Sequence, residues 1–312
     1  MHGHSHSDGT RAFAWVTLIN LAYTALEAGY GFATNSLALL SDALHNFGDV
    51  LGLGLAWGAA VIAQRPPTER HTYGWRRATL LSPLANAVLL VAFSGALAWE
   101  AIRRFGAPPD VPGIPVMVVA AIGIAINLGA AWLVRGGHAH DLNRRGAFLH
   151  LIADAVVSLA AVLAGAGLWW LGWEWLDPAT ALLVAVVVAV SAFGLLRDAF
   201  EAAMDAVPRG IDQQQVRDWL LEQDGVSAVH HLHIWSLGAG EIAMTAHLVR
   251  AHDADHDAFI DRLNEELDER FGINHPTLQI ERGHGAAHDC RDRAPHGQSA
   301  DPHGGHAHDH AH

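Results

Sequence analysis

Two short runs of this chain carry residues able to do chemistry where chemistry is least expected. In Ser41-Asp42-Ala43-Leu44-His45-Asn46-Phe47-Gly48-Asp49, embedded in an apolar stretch, Asp42, His45 and Asp49 follow an i, i+3, i+7 spacing, which places them on one face of a helix. A second apolar stretch repeats the device in His150-Leu151-Ile152-Ala153-Asp154. Two helices that each bear His-x-x-x-Asp on one face can bring two imidazole nitrogens and two carboxylate oxygens to a common point. That is a complete tetrahedral shell for Zn2+, an ion with no d-electron geometry preference of its own. A lone intramembrane His or Asp can equally hydrogen-bond a neighbouring helix or a water. Repetition of the pair favours ligation, because such bonding needs no repeated spacing. Glu27 has no partner at helical spacing and is read as structural, and Asn20, Asn86 and Asn127, cheaper to bury, are read as hydrogen-bonding across helices.

The elements that must position these residues are membrane spans. The chain has 312 residues, no lysine, 23 histidines and one cysteine, Cys290, and a positive mean hydropathy despite polar ends. Its apolar residues are therefore concentrated in dense blocks. Six stretches approach the roughly 20 residues that a helix needs to cross hydrocarbon; they are centred on Leu21, Leu53, Leu90, Ile124, Leu159 and Val187. An even number puts both termini on one side. Arg11, the loop with Arg65, Arg70, Arg76 and Arg77, and the loop with Arg135, Arg144 and Arg145 share a side, against Arg103 and Arg104 opposite. Both termini are thus expected in the cytoplasm. Trp169, Trp170, Trp173 and Trp175 suit the headgroup layer at the last outer loop. The first span, Ala12 to Ala33, has a polar, His-rich start and is too long for the core of a cleaved signal.

From Pro208 onward the composition changes to 18 Asp and Glu against 8 Arg, with no run long enough to span. This predicts a soluble cytoplasmic module whose acidic surface argues against nucleic acid. A single cysteine offers no disulfide framework. Within the module, Asp212 to Gln223 reads as a helix, Val226 to Leu237 and Glu241 to Ala251 as strands, Asp255 to Phe271 as a helix and Thr277 to Arg282 as a strand. The αββαβ order suits a small sheet covered by helices on one face. The expected fold is a six-helix transmembrane bundle followed by a small α/β domain. Its divisions are a His-rich segment 1–11, a transmembrane domain 12–207, a cytoplasmic domain 208–283 and a His-rich tail 284–312 with nothing to bury and hence expected to be disordered.

Four further stretches make the chain resemble the cation diffusion facilitator family from Ala12 to about Glu281: Ser36-Leu37-Ala38-Leu39-Leu40-Ser41-Asp42-Ala43-Leu44-His45, His71-Thr72-Tyr73-Gly74, Arg145-Gly146-Ala147-Phe148-Leu149-His150 and Leu232-His233-Ile234-Trp235-Ser236-Leu237. The resemblance implies a transport site of four residues from the second and fifth spans, here His45, Asp49, His150 and Asp154. Its His/Asp combination looks like that of zinc-preferring members, and the chemistry agrees, since imidazoles favour zinc over harder cations. The resemblance also implies a metallochaperone-like, dimeric soluble domain, with zinc held by His230, His247 and Glu281, and His233 as a further candidate. Cys290 with His284 and His288 could complete that site, although the family often has two cysteines there. By the same resemblance Arg77 pairs with Asp205 and could hinge the dimer.

The chain also departs from the family. A second loop site found in some members needs an Asp and two His, and here only His71 is present, with Thr68 and Trp75 at the other positions, so that site is expected to be absent. His2, His4, His6, His138, His140, His303, His306, His308, His310 and His312 could bind metal weakly and raise its local concentration, or could be solvated tail without effect on transport. The expected function is proton-coupled efflux of Zn2+, with Cd2+ and Co2+ as further candidates, by alternating access across the inner (plasma) membrane. Zinc is the substrate and also a ligand of the soluble domain, and the partners are a second copy, the bilayer, divalent ions and protons. An uncoupled facilitator is the alternative. An intramembrane metalloenzyme lacks its His-Glu-x-x-His helix and an open coordination position. A membrane-anchored metal sensor would have no use for six spans.

Overall fold

The computed structural model describes residues 5–135, 142–250 and 256–281, with side chains described for 18–133, 148–250 and 256–281. The side chains of Arg11, Arg135, Arg144 and Arg145, the His2, His4, His6, His138 and His140 groups, and the whole tail from Arg282, with Cys290, His284 and His288, lie outside those residues. The chain divides into two units, Met1–Glu201 and Ala202–His312.

The first unit is helical: α1 (Ser5–Thr34), α2 (Leu37–Ala63), α3 (Ala78–Arg104), α4 (Gly113–Arg135), α5 (Leu142–Leu171) and α6 (Leu176–Ala203). Among the described residues, five helices, α2 to α6, are long and apolar enough to cross a membrane. Their packing suits lipid rather than water. Large apolar side chains such as Trp57, Trp132 and Val190 point outward, whereas the buried positions are small or polar: Ala38, Ala87, Ala101, Ser82, Ser94, Ser158. Small residues let helix backbones approach where no hydrophobic force drives them together. Helices α4 and α5 approach backbone to backbone: a side chain at Gly165 would meet the Met117 amide and the Gly113 carbonyl. On α1 the buried positions Tyr23, Thr24, Glu27 and Gly31 form one inward stripe.

The second unit folds as α7 (Gln213–Leu221), β1 (Val226–Gly238), β2 (Glu241–Arg250), α8 (His256–Phe271) and β3 (His275–Glu281). The sheet is mixed, in order β1-β2-β3, with β1 antiparallel and β3 parallel to β2. Asp212 caps α7 by accepting from the amides of Gln214 and Gln215. At the end of α8, Gly272 takes a positive φ of 68°, its amide bonds Asp268 and the next amide, of Ile273, bonds Leu267, so that Ile273 turns back into the core. The core packs Val216, Trp219 and Leu220 of α7 and Phe259, Leu263 and Leu267 of α8 against Val229, Leu232, Ile234, Met244, Ala246 and Leu248 of the sheet. The other face of the sheet is left with the polar residues.

Candidate metal sites

His45 and Asp49 stand on α2 and His150 and Asp154 on α5, and the structure brings the four together. His45 Nε2 lies 3.1 Å from Asp154 Oδ1, and His150 Nε2 lies 3.1 Å from Asp49 Oδ2 and 3.7 Å from the second oxygen of Asp154. One donor atom each from His45, Asp49 and Asp154 fits within a mutual distance of 4.8 Å, and the two imidazole centroids are 6.2 Å apart. A tetrahedron of bonds near 2.0 Å has edges of about 3.3 Å, so the two His–Asp pairs already stand at ligand spacing. The pairs are crossed: each imidazole reaches the carboxylate of the other helix. Asp154 is buried while His150 remains half-exposed, which gives the quartet a closed side and an open one.

The turn before α2 fixes the height of this face. Asn35 takes a left-handed φ of 55°, and Arg104 of α3 holds it through its carbonyl (2.7 Å) and its side-chain oxygen (2.9 Å) while also bonding Glu100. Ser36 caps α2 by accepting from Leu39 N. Asp177, at the start of α6 and wholly buried, accepts from the Ser36 hydroxyl and from the amides of Leu37 (2.8 Å) and Ala38 (3.2 Å). A carboxylate from another helix thus satisfies the free amides of α2 and complements its positive end. Asp177 was not among the residues singled out in the sequence, since an Asp-Pro pair at a helix start reads as the cap of its own helix.

Glu27 does have a partner at helical spacing, contrary to the sequence reading. Tyr23, four residues earlier, donates to Glu27 Oε1 at 2.9 Å, and Asn46 donates to Oε2 at 3.2 Å. Asp42, the third residue of the α2 face, stays outside the quartet and accepts from Ser158 at 2.8 Å. Among the described residues Asn86 Oδ1 and Asn127 Nδ2 have no hydrogen-bond partner. Asn86 instead crosses to α2 by packing, its amide filling the space that a side chain at Gly52 would need.

In the second unit His230 Nε2 lies 3.0 Å from Glu281 Oε2, and His247 Nδ1 lies 2.8 Å from Glu281 Oε1; one donor atom of each again fits within 4.8 Å. His230 and His247 are cross-strand neighbours, and Glu281 pairs with Val249 at the end of β3. Burial pushes the Glu281 carboxyl upward, but hydrogen bonds with His247 and His230 and the charge of both imidazoles outweigh it and hold it below the ordinary carboxylate value. His233 sits on the same face, opposite Thr245, and is exposed. The imidazole that joins the cluster is His231, with its ring 4.8 Å from that of His247 and 5.3 Å from that of His230. His231 occupies a bulge with φ 51°, where the register slips by one residue. Two adjacent polar residues between Val229 and Leu232 were the available signal for it.

Arg77 is the cap residue of α3 and Asp205 takes a left-handed φ of 58° after α6; they fall in different units. In the loop before α3, the His71 ring stacks on Trp75 at 4.3 Å and its amide bonds Thr68 Oγ1.

Residues 14–202 match the family described as "Cation efflux transmembrane domain" and residues 208–283 the one described as "Cation efflux protein, cytoplasmic domain". The chain belongs to the cation efflux family, the cation diffusion facilitators, whose members are membrane transporters and not enzymes. Among its relatives, the zinc transporter ZitB of Escherichia coli is 35% identical, over 90% of this chain and 92% of that protein. The cadmium, cobalt and zinc/H(+)-K(+) antiporter of Bacillus velezensis is 34% identical, over 90% of this chain and 91% of that protein. The solved metal-bound C-terminal domain of the CzcD transporter from Cuprividus metallidurans is 33% identical, covers 23% of this chain and 99% of that one, and superposes with a TM-score of 0.21. This chain is a multi-pass membrane protein of the cation efflux type.

Proposed function

We propose that the protein exports Zn2+ from the cytoplasm in exchange for protons, by alternating access to a site formed by His45, Asp49, His150 and Asp154. The observation that carries this reading is the crossed pairing of two imidazoles with two carboxylates at about the edge length of a zinc tetrahedron. Each His–Asp contact is a place where either a proton or a metal can sit, so metal entry releases protons and protons expel metal. Imidazole is the group whose proton affinity lies nearest physiological pH, which makes His45 and His150 the natural carriers. Relatives whose names specify zinc, cadmium and cobalt support this substrate class, with Cd2+ and Co2+ as further substrates.

The reading includes six spans, α1 being the sixth, within a domain of residues 12–207, with both termini in the cytoplasm of a cell bounded by this inner membrane. It includes a regulatory domain at 208–283, between a His-rich segment 1–11 and tail 284–312, in which His230, His247 and Glu281 hold zinc and His233 is a further candidate. It also includes a homodimer, consistent with the cytoplasmic-domain match, and an Arg77–Asp205 pair at its hinge. Zinc flux into proteoliposomes, measured with and without an imposed pH gradient, tests the coupling. Flux that follows the gradient supports antiport. Flux indifferent to it leaves an uncoupled facilitator.

A further inference from the structure

Asp42 is aligned with the site face of α2 yet takes no part in the quartet, and Glu27 reaches the same place from α1. Both are buried, with Glu27 wholly inaccessible and Asp42 1% exposed, and their carboxyl groups meet. Three of the four oxygens have ordinary donors: Tyr23 on Glu27 Oε1, Asn46 on Glu27 Oε2 and Ser158 on Asp42 Oδ2. The fourth, Asp42 Oδ1, has no donor among the described residues. The chain has no lysine, and no arginine among the described residues bears on either carboxyl. From α1 the pair faces Tyr23. From α2 it faces Asn46 and His45, and from α5 Ser158 and Asp154; α4 offers the Val119 carbonyl, which the Tyr23 hydroxyl also reaches.

Two adjacent ionised carboxylates shut away from water with no cation between them are the costliest arrangement these groups could adopt. One proton shared by the pair removes a charge and supplies the donor that Asp42 Oδ1 lacks. We propose that Glu27 and Asp42 together hold one proton in the metal-free transporter, and that this pair is a proton-binding site of the exchange cycle separate from the His–Asp shell. The proposal deepens the coupled-exchange reading and rests on it. Asp42 lies three residues before His45, about 4.5 Å along the helix axis. A divalent ion at the quartet therefore favours ionisation of the pair, and the released proton leaves as the metal binds. Asn46, next to His45, links Glu27 to the same helix face. A potassium ion would need a cage of oxygens, whereas three of the four here are already filled by hydrogen-bond donors; a proton fits what is left.

Calorimetry of zinc binding to the full-length protein in nanodiscs, in two buffers of different ionisation enthalpy, counts the protons released per zinc. Glu27→Gln is expected to release one proton fewer than wild type. Equal release in the two proteins overturns the assignment and leaves coupled exchange standing, whereas a wild type that releases none overturns the coupling as well. An infrared measurement on wild type with isotope-labelled glutamate carboxyls covers the case in which Glu27→Gln does not insert. Glu27 is the one wholly buried glutamate among the described residues, and its protonated-carboxyl band should vanish when zinc is added. A missing band, or one that responds to potassium and not to zinc, overturns the proposal.

Discussion

Replacing Asp177 by asparagine changes one atom, and the structure gives the cost. The carboxylate accepts three hydrogen bonds at the start of α2, from the Ser36 hydroxyl and the Leu37 and Ala38 amides. Asparagine keeps one accepting oxygen and turns the other into a donor, so at least one buried amide or hydroxyl is left facing a hydrogen. Leaving it unpaired costs about 1–3 kcal/mol. Losing the negative charge at the positive end of α2 adds up to about 1 kcal/mol more. The sum, about 1–4 kcal/mol, corresponds to a shift in the unfolding equilibrium of about 5- to 900-fold. Asp212→Asn is the internal comparison. Asp212 also caps a helix, but its bonds are exposed and asparagine is as good a cap there, so a change of at most about 0.5 kcal/mol is expected. Reversible unfolding in mixed micelles reads both variants. If Asp177→Asn cost no more than Asp212→Asn, the assignment of the cross-helix cap as the anchor of α2 would be wrong. Because α2 carries His45 and Asp49, the loss of its anchor also bears on transport: Asp177→Asn should lower zinc flux in proteoliposomes even where protein levels are matched.

Three further outcomes are expected. His45→Asp exchanges a nitrogen ligand for an oxygen, which suits zinc less and larger or harder cations relatively more, so the cadmium-to-zinc flux ratio should rise; an unchanged ratio would place selectivity elsewhere. Gly165→Ala puts a methyl against the Met117 amide and the Gly113 carbonyl, so α4 and α5 must separate and the melting midpoint of the solubilised protein should fall, while Gly129→Ala, with open space around it, should leave it unchanged. Glu281 has a depressed folded-state pKa, so its pairing stabilises the second unit above the unfolded-state pKa and that contribution is lost as pH falls through the folded value. In metal-free buffer, thermal melts of wild type and Glu281→Gln should therefore differ near neutral pH and converge in acid; a constant difference across that range would contradict the pairing.

The quartet was legible because helical periodicity alone decides which residues share a face, and because His45–Asp49 and His150–Asp154 repeat one spacing. The strands were legible from alternation to within a residue or two, β3 starting at His275 because parallel pairing with Ala243 draws it in ahead of Thr277. What stayed hidden depended on long-range contact or on a local break in period. Asp177 acts on residues about 140 positions away, and no local pattern encodes that. His231 owes its place to a bulge that shifts the phase of β1, whereas strict alternation would set it on the face opposite His230. Tyr23 stands four residues before Glu27, but a search for charged partners at helical spacing passes over a neutral phenol.

The central claim, that His45, Asp49, His150 and Asp154 are the transported ion's ligands, is tested most directly by zinc flux into proteoliposomes containing wild type or Asp154→Ala at equal reconstituted amounts. Asp154 is the buried member and touches both imidazoles, so its removal takes an oxygen ligand and leaves His45 without its carboxylate. The account requires flux at the protein-free background in the variant, with zinc still bound by the second unit. Wild-type flux in Asp154→Ala would contradict it.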